Sequence, residues 1–70
     1  MENTPFGQLM QHIIHTLEKN GYDPVLQLEG YLKTGDPTYI TRSDDARKLI
    51  QQLDFTCIEQ FMKLHFMKHI

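Results

Sequence analysis

Two copies of one short pattern constrain the fold more than any other feature of this sequence. The segments Gly21 to Pro24 and Gly35 to Pro37 each place Asp-Pro shortly after a glycine. Glycine ends helices because it enters the left-handed region without a Cβ clash, and proline suits a first helical turn because it has no amide hydrogen to lose. The pattern therefore predicts a short helix between two tight turns. This helix belongs to residues 21–47, which we call the corner and which position the flanking segments.

The segment before this corner has the clearest helical periodicity in the chain. Thr4 is a predicted N-cap with proline at the first helical position, and Asn20 with Gly21 supplies the end. The apolar residues recur at the spacing of one helical face, so we expect them to face the core. They are Phe6, Leu9, Met10, Ile13, Ile14 and Leu17.

The second predicted helix begins after Asp23 as N-cap and ends at Gly35, with Gly30 in its interior. It is too short to persist alone and must be held by packing against its neighbours. An interior glycine costs about 0.5–1 kcal/mol relative to alanine. Gly30 therefore indicates either a close approach by another part of the chain or a tolerated weakness.

A third helix is predicted after an irregular connection over residues 36–41, with Ser43 as its N-cap and two aspartates in its first turn. Arg42 and Arg47 lie near these aspartates in sequence. We interpret the two arginines as fixing the connection onto the helix, since an arginine beside several carboxylates is usually an ion pair. Binding of an external anion is the alternative.

A fourth helix is predicted from the capping-box spacing of Thr56 and Glu59. Its apolar residues fall on more than one side of the helix, and three short partners cannot cover them all. We therefore predict a homodimer built on this helix. The expected interface residues are Phe61, Leu64, Phe66 and Met67.

Histidine pairs are the only hint of a metal site. His12 with His15, and His65 with His69, have helical spacing, but two ligands do not close a zinc shell. We interpret both pairs as surface histidines and expect no metal and no cofactor. Because there is no glycine-rich phosphate loop, no nucleophile motif and little room for a deep pocket, we also expect no enzymatic activity.

Length and charge exclude several further classes. The chain has 70 residues, which we expect to form one domain over residues 1–70, with a net charge of -2. No run approaches the roughly 20 apolar residues that a membrane-spanning helix needs. The opening residues lack the features of a secretory signal, and a single cysteine cannot form an internal disulfide, so we expect a soluble cytoplasmic protein.

The corner also resembles a known family. The resemblance lies in Gly-Tyr-Asp-Pro at 21–24, Gly-Tyr at 30–31, Gly-Asp-Pro-Thr-Tyr-Ile at 35–40 and Asp-Ala-Arg at 45–47. With agreeing spacing over about residues 13–50, the sequence resembles the core signature of the IreB family, small regulatory phosphoproteins of Gram-positive bacteria. Glu29 and residues 51–57 depart from that signature, which indicates a changed partner surface.

The resemblance implies a helical homodimer without enzymatic activity, phosphorylated on threonine by a membrane serine/threonine kinase of the cell-wall stress pathway. Such proteins restrain intrinsic resistance to cephalosporins. Thr4, just before the first helix, is the candidate modification site. The candidate partner-binding residues are Tyr31, Tyr39, Arg42 and Arg47.

The sequence therefore predicts an all-α compact bundle of about four short helices that acts as a cytoplasmic regulator through protein binding. The expected partners are a second copy, a serine/threonine kinase and cell-wall regulatory proteins. The alternative is a small helix-turn-helix-like nucleic-acid-binding regulator, and a metal-dependent enzyme ranks third. Charge disfavours nucleic acid, because the cations of Lys33, Arg42 and residues 47–48 are interspersed with aspartates.

Overall fold

The computed structural model describes residues 4–66, and it shows a compact globule of about 28 × 25 × 21 Å. Within that range the chain forms four α-helices and two 3₁₀ turns and contains no strand, which confirms the predicted all-α bundle. The helices are α1 (Pro5–Lys19), α2 (Pro24–Thr34), α3 (Ala46–Ile50) and α4 (Phe55–His65), and the 3₁₀ turns span Pro37–Tyr39 and Ser43–Asp45.

The first two helices begin and end where the sequence predicts. The amide of Gly7 donates to Thr4 Oγ1 at 3.0 Å, which caps α1, and Gly21 follows the helix with φ of 85°. The Asp23 carboxylate accepts the first free amides of α2, and Gly35 ends that helix at φ of 73°. The glycine and Asp-Pro pattern therefore acts as helix punctuation at both positions.

Gly30 permits a close approach between α2 and the following 3₁₀ turn. A Cβ built on Gly30 would lie 2.5 Å from Tyr39 Cε1 and 3.0 Å from Tyr39 Cγ. These distances are far below van der Waals contact, so only glycine leaves space for the ring. Of the two explanations that the sequence leaves open, the structure supports the close approach.

The core runs through the middle of the bundle and takes residues from every α-helix and from the connection after α2. Ile13 and the apolar residues one turn to either side of it, Met10 and Leu17, are fully buried. They pack with one cluster of buried side chains from the rest of the chain. Its other members are Leu28, Tyr31, Ile40, Ala46, Ile50, Ile58, Phe61 and Met62.

The third helix starts later than predicted, at Ala46, and the prediction of Ser43 as its N-cap is wrong. Asp44 and Asp45 have φ of 50° and 62°, so the backbone is left-handed where a first helical turn was expected. The Ser43 hydroxyl makes no cap bond and instead lies 3.4 Å from Asn20 Oδ1 and 3.3 Å from Thr41 Oγ1. The serine therefore joins the connection to the end of α1.

The fourth helix starts earlier than predicted, and the Thr56 and Glu59 capping box is wrong. Asp54 is the N-cap, because its Oδ1 accepts the amides of Thr56 at 2.7 Å and Cys57 at 3.3 Å. Aspartate is at least as good a cap as threonine, and here it lies at the point where the chain turns into the helix.

The apolar faces of α4 are covered unevenly by the chain itself. Phe61 is only 2% exposed, since Phe6 lies edge-on at 6.1 Å and His65 stacks at 4.2 Å. This corrects the expectation that a second protomer must cover Phe61. Leu64 remains 57% exposed, and Phe66 packs partly against the core. Met67 and His69 lie outside the described residues.

Candidate functional site

Two adjoining clefts share Arg42 and Arg47, and together we call them the arginine groove. Their volumes are about 390 Å³ and 370 Å³. The larger cleft lies along α3 and the smaller one along the 3₁₀ turns and the start of α2. The lining residues are Asp45, Lys48 and Gln51 on the first side, and Tyr22, Gln27, Thr38, Tyr39, Thr41 and Ser43 on the second.

Arg47 holds the connection between α2 and α3 in place. Its Nε donates to the Ile40 carbonyl at 2.8 Å, and its Nη2 lies 3.5 Å from the Thr38 carbonyl. Its own amide donates to the Thr41 carbonyl at 3.0 Å. The interpretation that this arginine fixes the connection is confirmed, although its hydrogen bonds go to backbone carbonyls rather than to carboxylates.

Arg42 and Lys48 differ from Arg47 in being exposed and in having no bonded partner among residues 4–66. Within residues 4–66 neither side chain makes a hydrogen bond or an ion pair. The predicted pairing of Arg42 with a neighbouring aspartate is therefore absent from this part of the chain. Three of the seven Lys and Arg residues of the sequence line the arginine groove, and two of them have no hydrogen-bond acceptor or ion-pair partner among residues 4–66.

The nearby carboxylates have other partners. The Asp44 carboxylate forms an exposed salt bridge with Lys19 Nζ at 2.6 Å, and this hydrogen bond and charge lower the pKa of Asp44. Hydrogen bonds from the side chain and amide of Thr38, with a smaller effect of the Arg47 charge, lower the pKa of Asp36. Both aspartates therefore stay ionised at neutral pH, and neither forms an ion pair with Arg42 or Lys48.

A strained backbone segment borders the arginine groove. Asp44 and Asp45 are consecutive non-glycine residues in the left-handed region, which L-residues other than Asn and Asp seldom visit. The segment is tied to α1 by the Lys19 salt bridge and by His12, whose Nε2 lies 3.2 Å from the Asp44 carbonyl oxygen. These contacts position Arg42 and Lys48 on either side of the turn.

A family model for the IreB regulatory phosphoprotein matches residues 1–67 of this chain. The chain belongs to the IreB family. The match extends well beyond the corner that carries the resemblance in the sequence, and it supports a regulatory role. In this IreB family member the corner is the part of the fold that builds the arginine groove.

Three of the four candidate partner-binding residues come together in the groove of this IreB protein, and the fourth does not. Tyr39, Arg42 and Arg47 line the same cleft. Tyr31 is 4% exposed, its ring lies 5.0 Å from that of Phe55, and burial raises the pKa of its hydroxyl. Its side chain belongs to the core rather than to the exposed surface.

Sequence reasoning did not single out all of the groove residues. Tyr22 and Gln27 lie within the corner pattern, so their place in the IreB signature could have marked them. Lys48 follows Arg47 directly, and three cations within seven residues are a signal of a basic surface. What the sequence could not reveal is that the Asp44 carboxylate pairs with Lys19 of α1, whereas Asp45 lines the groove.

A third cleft, separate from the arginine groove, lies between α2 and α4. It measures about 120 Å³ and its charged residues balance, with Glu29 and Glu59 against Lys33 and Lys63. This cleft therefore provides a reference surface whose charged side chains balance.

Within residues 4–66, no group of three or more His, Cys, Asp and Glu side chains could hold a metal ion. His12 is exposed beside Asp44, and His65 stacks on Phe61. Cys57, which the sequence suggests is a small apolar residue of α4, is exposed.

None of the helices within residues 4–66 has the length and apolar character needed to cross a membrane.

Proposed function

We propose that this protein is a non-enzymatic cytoplasmic regulator that acts by binding other proteins through the arginine groove. Membership of a family of regulatory phosphoproteins is the observation that carries the proposal. The groove supports it, because exposed arginine and tyrosine side chains are the residue types enriched at protein interfaces. On the basis of the resemblance to IreB, we further propose a role in cell-wall stress signalling, as a negative regulator of cephalosporin resistance.

Thr4 is the proposed site of phosphorylation by a serine/threonine kinase. It is exposed, it caps α1, and the first turn of that helix contains no acidic residue. A phosphate at this position would add negative charge at the positive end of the helix dipole, a placement that stabilises a helix by about 0.3–1 kcal/mol. Phe6, two residues later, contacts Phe61, so a change at this end of α1 reaches α4 directly.

The proposed active form is a homodimer that uses the carboxyl-terminal end of α4. Leu64 is the most exposed apolar residue of that helix, and Phe66 is only partly covered. Met67 is included on the basis of the sequence. A two-fold interface pairs the same patch on both copies, so Leu64 of each protomer would be buried.

The regulatory role is tested by kinase treatment and capture of native partners. Purified protein incubated with a cell-wall stress kinase should gain one phosphate, which mass spectrometry should place at Thr4 and which Thr4→Ala should abolish. Capture from native cytoplasm should yield a protein that Arg42→Gln loses and Lys33→Gln retains. Equal capture by both variants would show that the arginine groove is not the binding surface.

The homodimer is tested by sedimentation equilibrium. We expect wild-type protein to sediment as a dimer and Leu64→Glu as a folded monomer, because a buried unpaired carboxylate is costly. Leu26→Glu is the matched control, since Leu26 is an exposed leucine of α2. A wild-type monomer at micromolar concentration would remove the dimer from the proposal.

A further inference from the structure

The arginine groove brings together cations that the fold does not neutralise. Arg42, Arg47 and Lys48 line one cleft, and among residues 4–66 Asp45 is the only carboxylate in its lining. The chain as a whole carries a net charge of -2, so this surface is opposite in sign to the rest of the molecule. A local positive cleft on an acidic protein selects for a compact anion rather than for a long polyanion.

The Arg47 side chain is held in one orientation by the protein itself. Its Nε and Nη2 point to the carbonyls of Ile40 and Thr38, which leaves the rest of its donors for a ligand. A side chain ordered in advance loses less entropy on binding. Arg42 and Lys48 are exposed and have no acceptor in the described residues, so they can close on the same anion.

The charge of the cleft fits a phosphate monoester better than a carboxylate. A phosphorylated side chain carries about -1.5 to -2 charge and three strong acceptor oxygens. Three cationic side chains can satisfy these oxygens together, and arginine binds phosphate through two parallel hydrogen bonds. A single carboxylate offers two oxygens and half the charge, and would leave one of the cations unpaired.

The adjoining cleft supplies the surface for a peptide on either side of the phosphate. Tyr22 and Tyr39 are 46% and 41% exposed, and Thr38, Thr41 and Ser43 line the same cleft with Arg42. Among residues 4–66, no carboxylate lines this cleft. Aromatic rings with polar tips pack against peptide side chains while their hydroxyls bond to the peptide backbone.

We propose that the arginine groove binds a phosphorylated segment of a partner protein, with the phosphate on Arg42, Arg47 and Lys48 and the flanking residues on Tyr22 and Tyr39. This inference rests on the proposed function and names the chemistry of the partner at the same groove. Nucleic acid fits less well, because Asp36 and Asp44 stay ionised near the groove and would repel successive phosphates.

The test is a titration of ¹⁵N-labelled protein followed by NMR of the backbone amides and the arginine Nε–H groups. The probes are a pool of short peptides with a fixed phosphothreonine and randomised neighbours, the same pool with threonine, inorganic phosphate, and a single-stranded oligonucleotide. We expect saturable shifts at residues 38–48 with the phosphorylated pool only. Arg42→Gln should weaken binding at least about tenfold, since hydrogen bonds between charged groups are the strong ones.

Two matched variants control for simple charge attraction. Lys33→Gln and Lys63→Gln remove the same charge from the balanced cleft between α2 and α4, and they should leave the affinity unchanged. The fold should survive Arg42→Gln, because that side chain is exposed and makes no hydrogen bond or ion pair within residues 4–66. Equal weakening by the control variants would overturn the proposal.

The remaining outcomes also decide. Equal binding of both peptide pools, stronger binding of the oligonucleotide, shifts with inorganic phosphate as large as those with the phosphorylated pool, or no saturable shift at all would each overturn it. If the phosphorylated pool fails while Arg42-dependent capture persists, the groove binds an unphosphorylated partner and only this inference falls. If both fail, the proposed function of the groove falls as well.

Discussion

The buried face of α1 and the second half of the corner, residues 35–47, are stabilised by different kinds of interaction. Along α1, Met10, Ile13 and Leu17 are fully enclosed and the helix depends on apolar burial that repeats every turn. In the corner, residues 35–47 place Ile40 and Ala46 in the core and otherwise depend on single contacts: one ring over a glycine, one arginine on two carbonyls, and side-chain hydrogen bonds to backbone amides. Each of these contacts can be removed by one substitution, whereas the buried face of α1 is shared by several side chains.

This difference supports the proposal that the corner is the part that faces partners. Its polar contacts leave the side chains of Tyr39 and Arg42 at the surface, while α1 uses its side chains to fill the core. A surface that is held by its backbone and caps keeps its exposed side chains available for binding.

Ile13→Ala should give the largest effect, because it leaves a cavity in the enclosed face of α1. We expect a loss of about 3 kcal/mol in the free energy of unfolding, measured by urea denaturation. Ile14→Ala is the matched control on the same helix, and since Ile14 is only partly buried its loss should be clearly smaller. Equal losses would mean that α1 is not organised around one buried face.

Gly30→Ala tests the close contact between Gly30 of α2 and the Tyr39 ring of the following 3₁₀ turn. Alanine gains about 1 kcal/mol in helix propensity, but its methyl group would overlap the Tyr39 ring, and overpacking typically costs about 1–3 kcal/mol. We expect a net loss of about 1 kcal/mol by urea denaturation. In the Tyr39→Ala background the same substitution should become stabilising, because the ring is gone. A stabilising effect in the wild-type background would show that the ring moves aside at no cost.

Asp54→Ala tests where α4 begins and should cost about 1 kcal/mol, the usual value for loss of an N-cap. Thr56→Ala should change the free energy of unfolding only slightly, since the threonine side chain does not cap the helix. Thermal unfolding by circular dichroism separates the two variants. The reverse order would restore the capping box that the sequence indicates.

The smallest effect should come from the exposed Asp44 and Lys19 salt bridge. The pKa of Asp44 is lowered in the folded state, so its contribution is present above the pKa of an unfolded aspartate and is lost as the pH falls below about 4. Asp44→Asn, which keeps a residue that tolerates left-handed backbone, should be less stable than wild type at pH 7 and should converge with it in acid. A difference that persists in acid would assign the effect to the backbone.

The sequence predicted the regular parts of this fold well. The apolar spacing of α1, the Asp23 cap and the stops at Gly21 and Gly35 depend on interactions within a few residues, so local rules suffice. The close approach at Gly30 was also open to prediction, because an interior glycine has a cost that needs a reason. The identity of the approaching residue, Tyr39, could not be predicted from the sequence.

The missed features depend on contacts that are distant in sequence. The first turn expected at Asp44 is replaced by left-handed backbone, and that aspartate bonds to Lys19, 25 residues earlier. Phe61 was assigned to an interface because no local pattern shows that Phe6 covers it. Likewise, the arginine groove is recognisable only once Asp36 and Asp44 are seen to bond to Thr38 and Lys19 rather than to Arg42.

The positions of the tyrosines give this protein a built-in optical reporter. Tyr22 and Tyr39 line the arginine groove, Tyr31 lies in the core, and the chain has three tyrosines and no tryptophan. Tyrosine emission is therefore not masked by energy transfer to an indole. Occupancy of the groove should change the intrinsic fluorescence of the unlabelled chain, and Tyr22→Phe and Tyr39→Phe would assign the signal to one wall or the other.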